Sequence, residues 1–169
     1  IEKLETVEKK VEPLKEEISV VNNSGLNLSV AGIFSETNNQ RILNGLSALK
    51  EDDTLKKIAE KRMDDMFSLG YFDHTSPKGE TVGSFAKSEG YKYLVIGENI
   101  ALGDFSSDRD LVQAWMASPG HKANILNANY QEIGIAVSKK IYQGNQMIIS
   151  VQVFAKSSRS CIYPDESLR

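Results

Sequence analysis

Trp115-Met116-Ala117-Ser118-Pro119-Gly120-His121-Lys122-Ala123-Asn124-Ile125-Leu126 joins the end of one amphipathic helix to the start of another. Ser118 suits the N-cap and Pro119 the first helical position, where a missing N–H costs nothing. His121 then falls in the first turn, where the positive end of the helix dipole disfavours the imidazolium. A neutral ring is the form that binds a metal or accepts a proton. Most capped helix starts do no chemistry, so the position alone assigns His121 no role.

Outward from this junction the two sides differ in period. Upstream, Leu111, Val112, Trp115 and Met116 give one helical face, with Ser107 and Asp110 as a capping box. Downstream, Ile133, Ile135 and Val137 alternate, Gln143-Gly144-Asn145 makes a turn, and residues 147–154 are rich in β-branched types. That predicts a terminal two-stranded hairpin. Further back, Tyr93-Leu94-Val95-Ile96 reads as a buried strand, and residues 82–89 as a short helix closed by Gly90. Ser76-Pro77-Lys78-Gly79 suits a type I turn. Asp53 caps a strong helix with Leu55, Ile58, Ala59, Met63, Met66 and Phe67 on one stripe, ended by Gly70. Ser35 is expected to cap a helix to about Leu49 carrying Ile42, Leu43, Leu46 and Leu49, and Leu26, Leu28 and Val30 alternate like a short strand. Mixed helices and strands with an antiparallel hairpin predict an α+β class, helices packed on a central sheet.

The N-terminal stretch has its own rhythm. Leu4, Val7, Val11, Leu14, Ile18 and Val21 follow heptad spacing. Self-association through residues 4–21 is one reading. Pro13 and the short length favour the other, a surface or broken helix or a linker. Asn22-Asn23-Ser24-Gly25 then forms a turn. Residues 1–33 are accordingly expected to be an extension of the domain.

The totals exclude several classes. A net charge of −3 and no basic stripe interleaved with aromatics argue against a nucleic-acid partner. No run approaches the roughly 20 apolar residues of a membrane span. Cys161 is the single cysteine, so the chain cannot form an internal disulfide. Ile1 in place of Met reads as a processed or trimmed start, with any targeting segment out of view.

Three residues stand out for chemistry. His74 and His121 are the two histidines of the chain, each beside a proline–glycine turn, where side chains gather at element ends. Glu98 lies between the apolar runs 94–96 and 100–102, so its carboxylate must escape at a turn or find a partner inside. Two imidazoles and one carboxylate make a workable ligand set for zinc or a similar divalent ion, with a position left for water. Against this, the three are far apart in sequence and match no local metal motif, and structural roles explain each one separately. Ser76 and Ser118 lack the strand-to-helix setting of a serine nucleophile.

Together the motifs resemble a known family. They are Asn39-Gln40-Arg41 with Gly45-Leu46, Tyr71-Phe72-Asp73-His74-Thr75-Ser76-Pro77, Gly97-Glu98-Asn99-Ile100-Ala101, Trp115, Ser118-Pro119-Gly120-His121, Asn124-Ile125-Leu126, Glu132-Ile133-Gly134 and Val151-Gln152-Val153-Phe154. In this order they resemble the CAP superfamily of cysteine-rich secretory, antigen 5 and pathogenesis-related proteins, in its bacterial, cysteine-poor SCP-like branch. The resemblance covers residues 34–156 as the domain and leaves 157–169 as a C-terminal tail. It implies a three-layer α–β–α sandwich on a mainly antiparallel sheet, and a secreted or cell-surface location.

The resemblance also implies a cleft of two histidines and two acids that binds a divalent ion in some members. His74, Glu98 and His121 match three of these positions. The second acid lies three residues after the tryptophan, where this chain has Ser118, and Glu132 stands as a candidate substitute carboxylate. The function this implies is an extracytoplasmic module for a divalent ion, zinc first, or for a lipid, glycan or peptide ligand. The alternative is a metal-dependent hydrolase of peptide or cell-envelope material. The missing acid favours binding, and the resemblance alone does not decide whether the protein is an enzyme.

Overall fold

At Gly134 a helix lies directly on the sheet. A Cβ there would stand 2.0 Å from the Leu55 carbonyl carbon, closer than any side chain tolerates. The computed structural model describes residues 27–158 apart from Gln143. In chain order the elements are α1 (Val30–Leu43), β1 (Lys50–Glu51), α2 (Asp53–Leu69), α3 (Val82–Ser88), β2 (Tyr93–Gly103), α4 (Asp108–Ala117), α5 (Pro119–Ile125), β3 (Glu132–Tyr142) and β4 (Asn145–Ser157).

The strands form one sheet in the order β1-β3-β4-β2. The short β1 runs parallel to β3, and the two remaining pairs are antiparallel. Both faces are covered. On one side Ile33 of α1, Leu111, Val112 and Trp115 of α4 and Ile125 of α5 pack on Ile133, Ile135, Ile148 and Phe154. On the other, Leu55, Ile58, Ala59, Met63 and Met66 of α2 and Ala86 of α3 pack on Ile100, Ala136, Ile149, Val151 and Val153. This is the α+β, three-layer α–β–α sandwich expected. Eight consecutive β4 residues from Ile148 are buried, as a strand covered on both faces requires. Among the described residues no helix is long and apolar enough to cross a membrane.

Local readings hold at the glycine stop of α2 and at the 76–79 turn. Gly70 takes the left-handed conformation that ends α2 (φ 65°). Gly79 N–H donates to the Ser76 carbonyl at 2.8 Å, closing the predicted turn. Other local expectations shift. The first helix starts at Val30 because Ser29, not Ser35, is its cap: the Ser29 hydroxyl accepts from Gly32 N–H. That places Val30 in a helix rather than a strand. The helix ends before Asn44 and Gly45 (φ 74°), so Leu46 and Leu49 lie beyond it and Ile42 and Leu43 face solvent. Asp52, one residue before the expected Asp53, caps α2. The strand read at 93–96 continues through Glu98 to Gly103. The heptad stretch 4–21, the 22–25 turn and Cys161 lie outside the described residues.

Candidate functional site: two histidines at one edge strand

β2 is an edge of the sheet, and its side chains alternate between the two covered faces. Ile96, Ile100 and Leu102 point toward α2 and α3, so Glu98 does too. There it meets Arg62, which occupies the buried stripe of α2 four residues after Ile58 and four before Met66. Arg62 Nε–H donates to Glu98 Oε2 at 2.8 Å and Nη2–H to Oε1 at 3.0 Å. The pair is almost sealed from water, with side-chain exposures of 0% and 2%. A buried bidentate pair of this kind satisfies the carboxylate that the sequence left between two apolar runs.

Arg62 also holds the loop after α2. Its Nη2 donates to the backbone carbonyls of Asp73 (2.9 Å) and His74 (3.2 Å), and its Nη1 donates to the Tyr71 hydroxyl. Its guanidinium lies 5.3 Å from the Phe85 ring centre. Burial and a hydrogen bond to Asp65 push the Tyr71 hydroxyl up to about 12, so it remains a donor. The loop then delivers His74, whose Nδ1 lies 2.9 Å from Glu98 Oε1. Its side chain is 57% exposed. Asp73 Oδ1 accepts from Thr75 N–H, and the Ser76 hydroxyl accepts from Lys78 and Glu80 N–H, which stiffens the loop on both sides of the ring.

His121 comes from the opposite layer. It is the third residue of α5, with Ser118 at the cap and Pro119 at the first helical position as predicted, although the Ser118 hydroxyl makes no capping bond. Asn99, the neighbour of Glu98, turns to this face and donates to the His121 carbonyl (3.1 Å) and to Gln152 Oε1 (3.2 Å). Asn124 donates to Asn99 Oδ1 and to the Glu98 carbonyl, and Trp115 Nε1–H donates to the Ile100 carbonyl. The α4–α5 corner therefore covers part of the open edge of β2 with side-chain donors, the usual need of an edge strand.

The electrostatics separate the two rings. The hydrogen bond to Glu98 raises His74, against the opposing effect of burial. Burial first, then the charge of His74, lowers His121. Burial would raise Glu98, but the hydrogen bonds from His74 and Arg62 outweigh it and hold the carboxyl below its ordinary value. Neither ring nitrogen of His121 makes a hydrogen bond among the described residues. Both oxygens of Glu98 are already engaged. Among the described residues no three His, Cys, Asp or Glu side chains are grouped as ligands for one ion. Of the three candidates, His74 is exposed and His121 half-buried, while Glu98 is sealed.

Ser118 brings no carboxylate, and Glu132 is not a substitute: it accepts from the Tyr91 hydroxyl at the start of β3, two strands away from β2. It lines a hollow of about 370 Å³ with Asp52, Glu89 and Tyr91 that takes in none of the three candidate residues. Of the acids there, Glu132 is held by Tyr91 and Glu89 by Lys57 and Lys61. The sequence reading missed Arg62, Asn99 and Asn124. A charge on the apolar stripe of α2 was the available signal for Arg62.

The family model of the cysteine-rich secretory protein family, CAP, matches residues 34–154. The chain belongs to that family. This CAP chain is 43% identical to the Bacillus subtilis protein YkwD over 99 residues, 59% of the chain and 38% of YkwD. It is similar to an extracellular protein containing an SCP domain from Bacillus anthracis, with TM-score 0.64 and 28% identity over 76% of this chain and 40% of that one. It is also similar to an outer surface protein of Borrelia burgdorferi, with TM-score 0.65 and 27% identity over 75% of this chain and 90% of that one. The chain thus spans well under half the length of YkwD and of the Bacillus anthracis protein.

Proposed function

We propose that this CAP domain is an extracytoplasmic binding module in which His74 and His121 together receive a ligand, most simply through a divalent ion such as zinc. The observation that carries the reading is the adjacency of Glu98 and Asn99, which anchor the two histidines to one short stretch of β2 from opposite faces. Zinc accepts imidazole nitrogen and completes its shell with water or a ligand atom. In this reading Glu98 stands behind His74 as the carboxylate partner of a metal-binding imidazole, the common outer arrangement of such sites. The extracellular and outer-surface relatives support a location outside the cytoplasm.

Binding is favoured over hydrolysis because the site keeps no carboxylate free to take a proton from an attacking water. Glu98 is committed to Arg62 and His74, and position 118 carries a serine. Calorimetric titration with zinc tests the proposal: one site is expected, abolished in His74→Ala and in His121→Ala. No zinc binding by the folded chain, or an unchanged titration in both variants, sinks it. Glu98-dependent turnover of a peptide or muropeptide panel would instead establish the hydrolase.

A further inference from the structure

Arg62 is the most heavily engaged side chain of the site, yet it reaches no ligand position. All three of its nitrogens donate, to both oxygens of Glu98, to the Tyr71 hydroxyl, and to the carbonyls of Asp73 and His74. These partners belong to β2 and to the loop after α2, segments that are 24 positions apart at His74 and Glu98. One guanidinium thus fixes both the carboxylate that His74 meets and the backbone from which His74 projects.

We infer that Arg62 is the positioning residue of the two-histidine site: by clamping Glu98 and the His74 backbone in one fork, it keeps the His74 proton on Nδ1 and leaves Nε2 as the ring's open acceptor. An ionised carboxylate only accepts, so a ring nitrogen 2.9 Å from Glu98 Oε1 must donate. In the neutral ring the other nitrogen is then bare. The rigid, planar fork matters here, because a lysine ammonium is a point charge and cannot hold two carboxylate oxygens and two carbonyls in fixed directions. This inference rests on the binding role proposed for His74, and it predicts something about the ring that can be read with no metal present.

The test is long-range proton–nitrogen NMR of the full chain, made about two units above the His74 midpoint read from the same spectra, so that the ring is neutral. In the unsubstituted chain His74 should show a protonated Nδ1 and a bare Nε2. Arg62→Lys should move both His74 nitrogen shifts toward a tautomer mixture, leave His121 unchanged, and weaken zinc binding about 10- to 100-fold, the usual effect of removing an outer partner. A folded Arg62→Lys protein with unaltered His74 shifts would overturn the inference. So would a bare Nδ1 in the unsubstituted chain, a measurement that stands even where the variant does not fold. If the tautomer behaves as stated and zinc does not bind, the ion-binding role fails and the positioning role of Arg62 stands.

Discussion

Glu98 and Asn99 are neighbours on β2, and each holds a different histidine: Glu98 Oε1 meets His74 Nδ1 at 2.9 Å, and Asn99 Nδ2 donates to the His121 carbonyl at 3.1 Å. The pleat sends consecutive side chains to opposite faces, so two adjacent residues reach the two helical layers that flank the sheet. A loop from one layer and a helix from the other are thereby brought to one place on an edge strand.

The rings should titrate in a defined order. His74 is raised by its hydrogen bond to Glu98, and His121 is lowered by burial and then by the charge of His74. As pH falls, His74 takes its proton first. Its contribution to stability is full below about 6.5 and is lost as pH rises through its raised folded value. The contribution of His121 has the opposite sign, present above about 6.5 and lost as pH falls through its lowered value. With two histidines in the chain, proton NMR resolves both curves. A lower midpoint for His74 than for His121 contradicts the arrangement.

Gly134→Ala should destabilise the protein by about 1–3 kcal/mol or more, the usual cost of overpacking, because the added carbon meets helix backbone that cannot swing aside. Gly120→Ala is the control. A Cβ there has nothing within 4 Å, and its φ is not positive. That substitution should be neutral or slightly stabilising. Urea midpoints compare the two, and equal midpoints would show that α2 does not rest on β3 in the manner described.

Arg41 is buried and donates to the carbonyls of Ser47, Ile125 and Asn127, which pins the end of α5 to α1. Arg41→Met leaves these acceptors without their donor and should cost at least about 2 kcal/mol, given about 1–3 kcal/mol for each buried unsatisfied group. Denaturant unfolding measures this. A loss below about 0.5 kcal/mol, the range of ordinary surface substitutions, would mean that the carbonyls find water instead.

Trp115→Phe keeps most of the apolar bulk but removes the indole N–H that meets the Ile100 carbonyl on the open edge of β2. The expected cost is about 1–3 kcal/mol. Amide exchange should also quicken along residues 98–102 before it quickens along β4. Uniform exchange across both strands would show that the indole does not guard the edge.

The sequence by itself determined the α+β class, the strong second helix with its glycine stop, the terminal hairpin and the setting of His121 in the first turn after Ser118-Pro119. These rest on periods and caps, interactions between residues a few positions apart. It misplaced the first helix because a serine at 35 and a serine at 29 offer the same local cap, and the choice lies in the packing of Ile33 against the far side of the sheet. Only the tertiary structure decided how Glu98 is satisfied and which residue organises His74. Arg62 and Glu98 are 36 positions apart, and His74 and Glu98 are 24 apart. No local period encodes such pairs: they exist because burial of two apolar faces presses α2, a loop and an edge strand together, and a charge caught there must find its opposite.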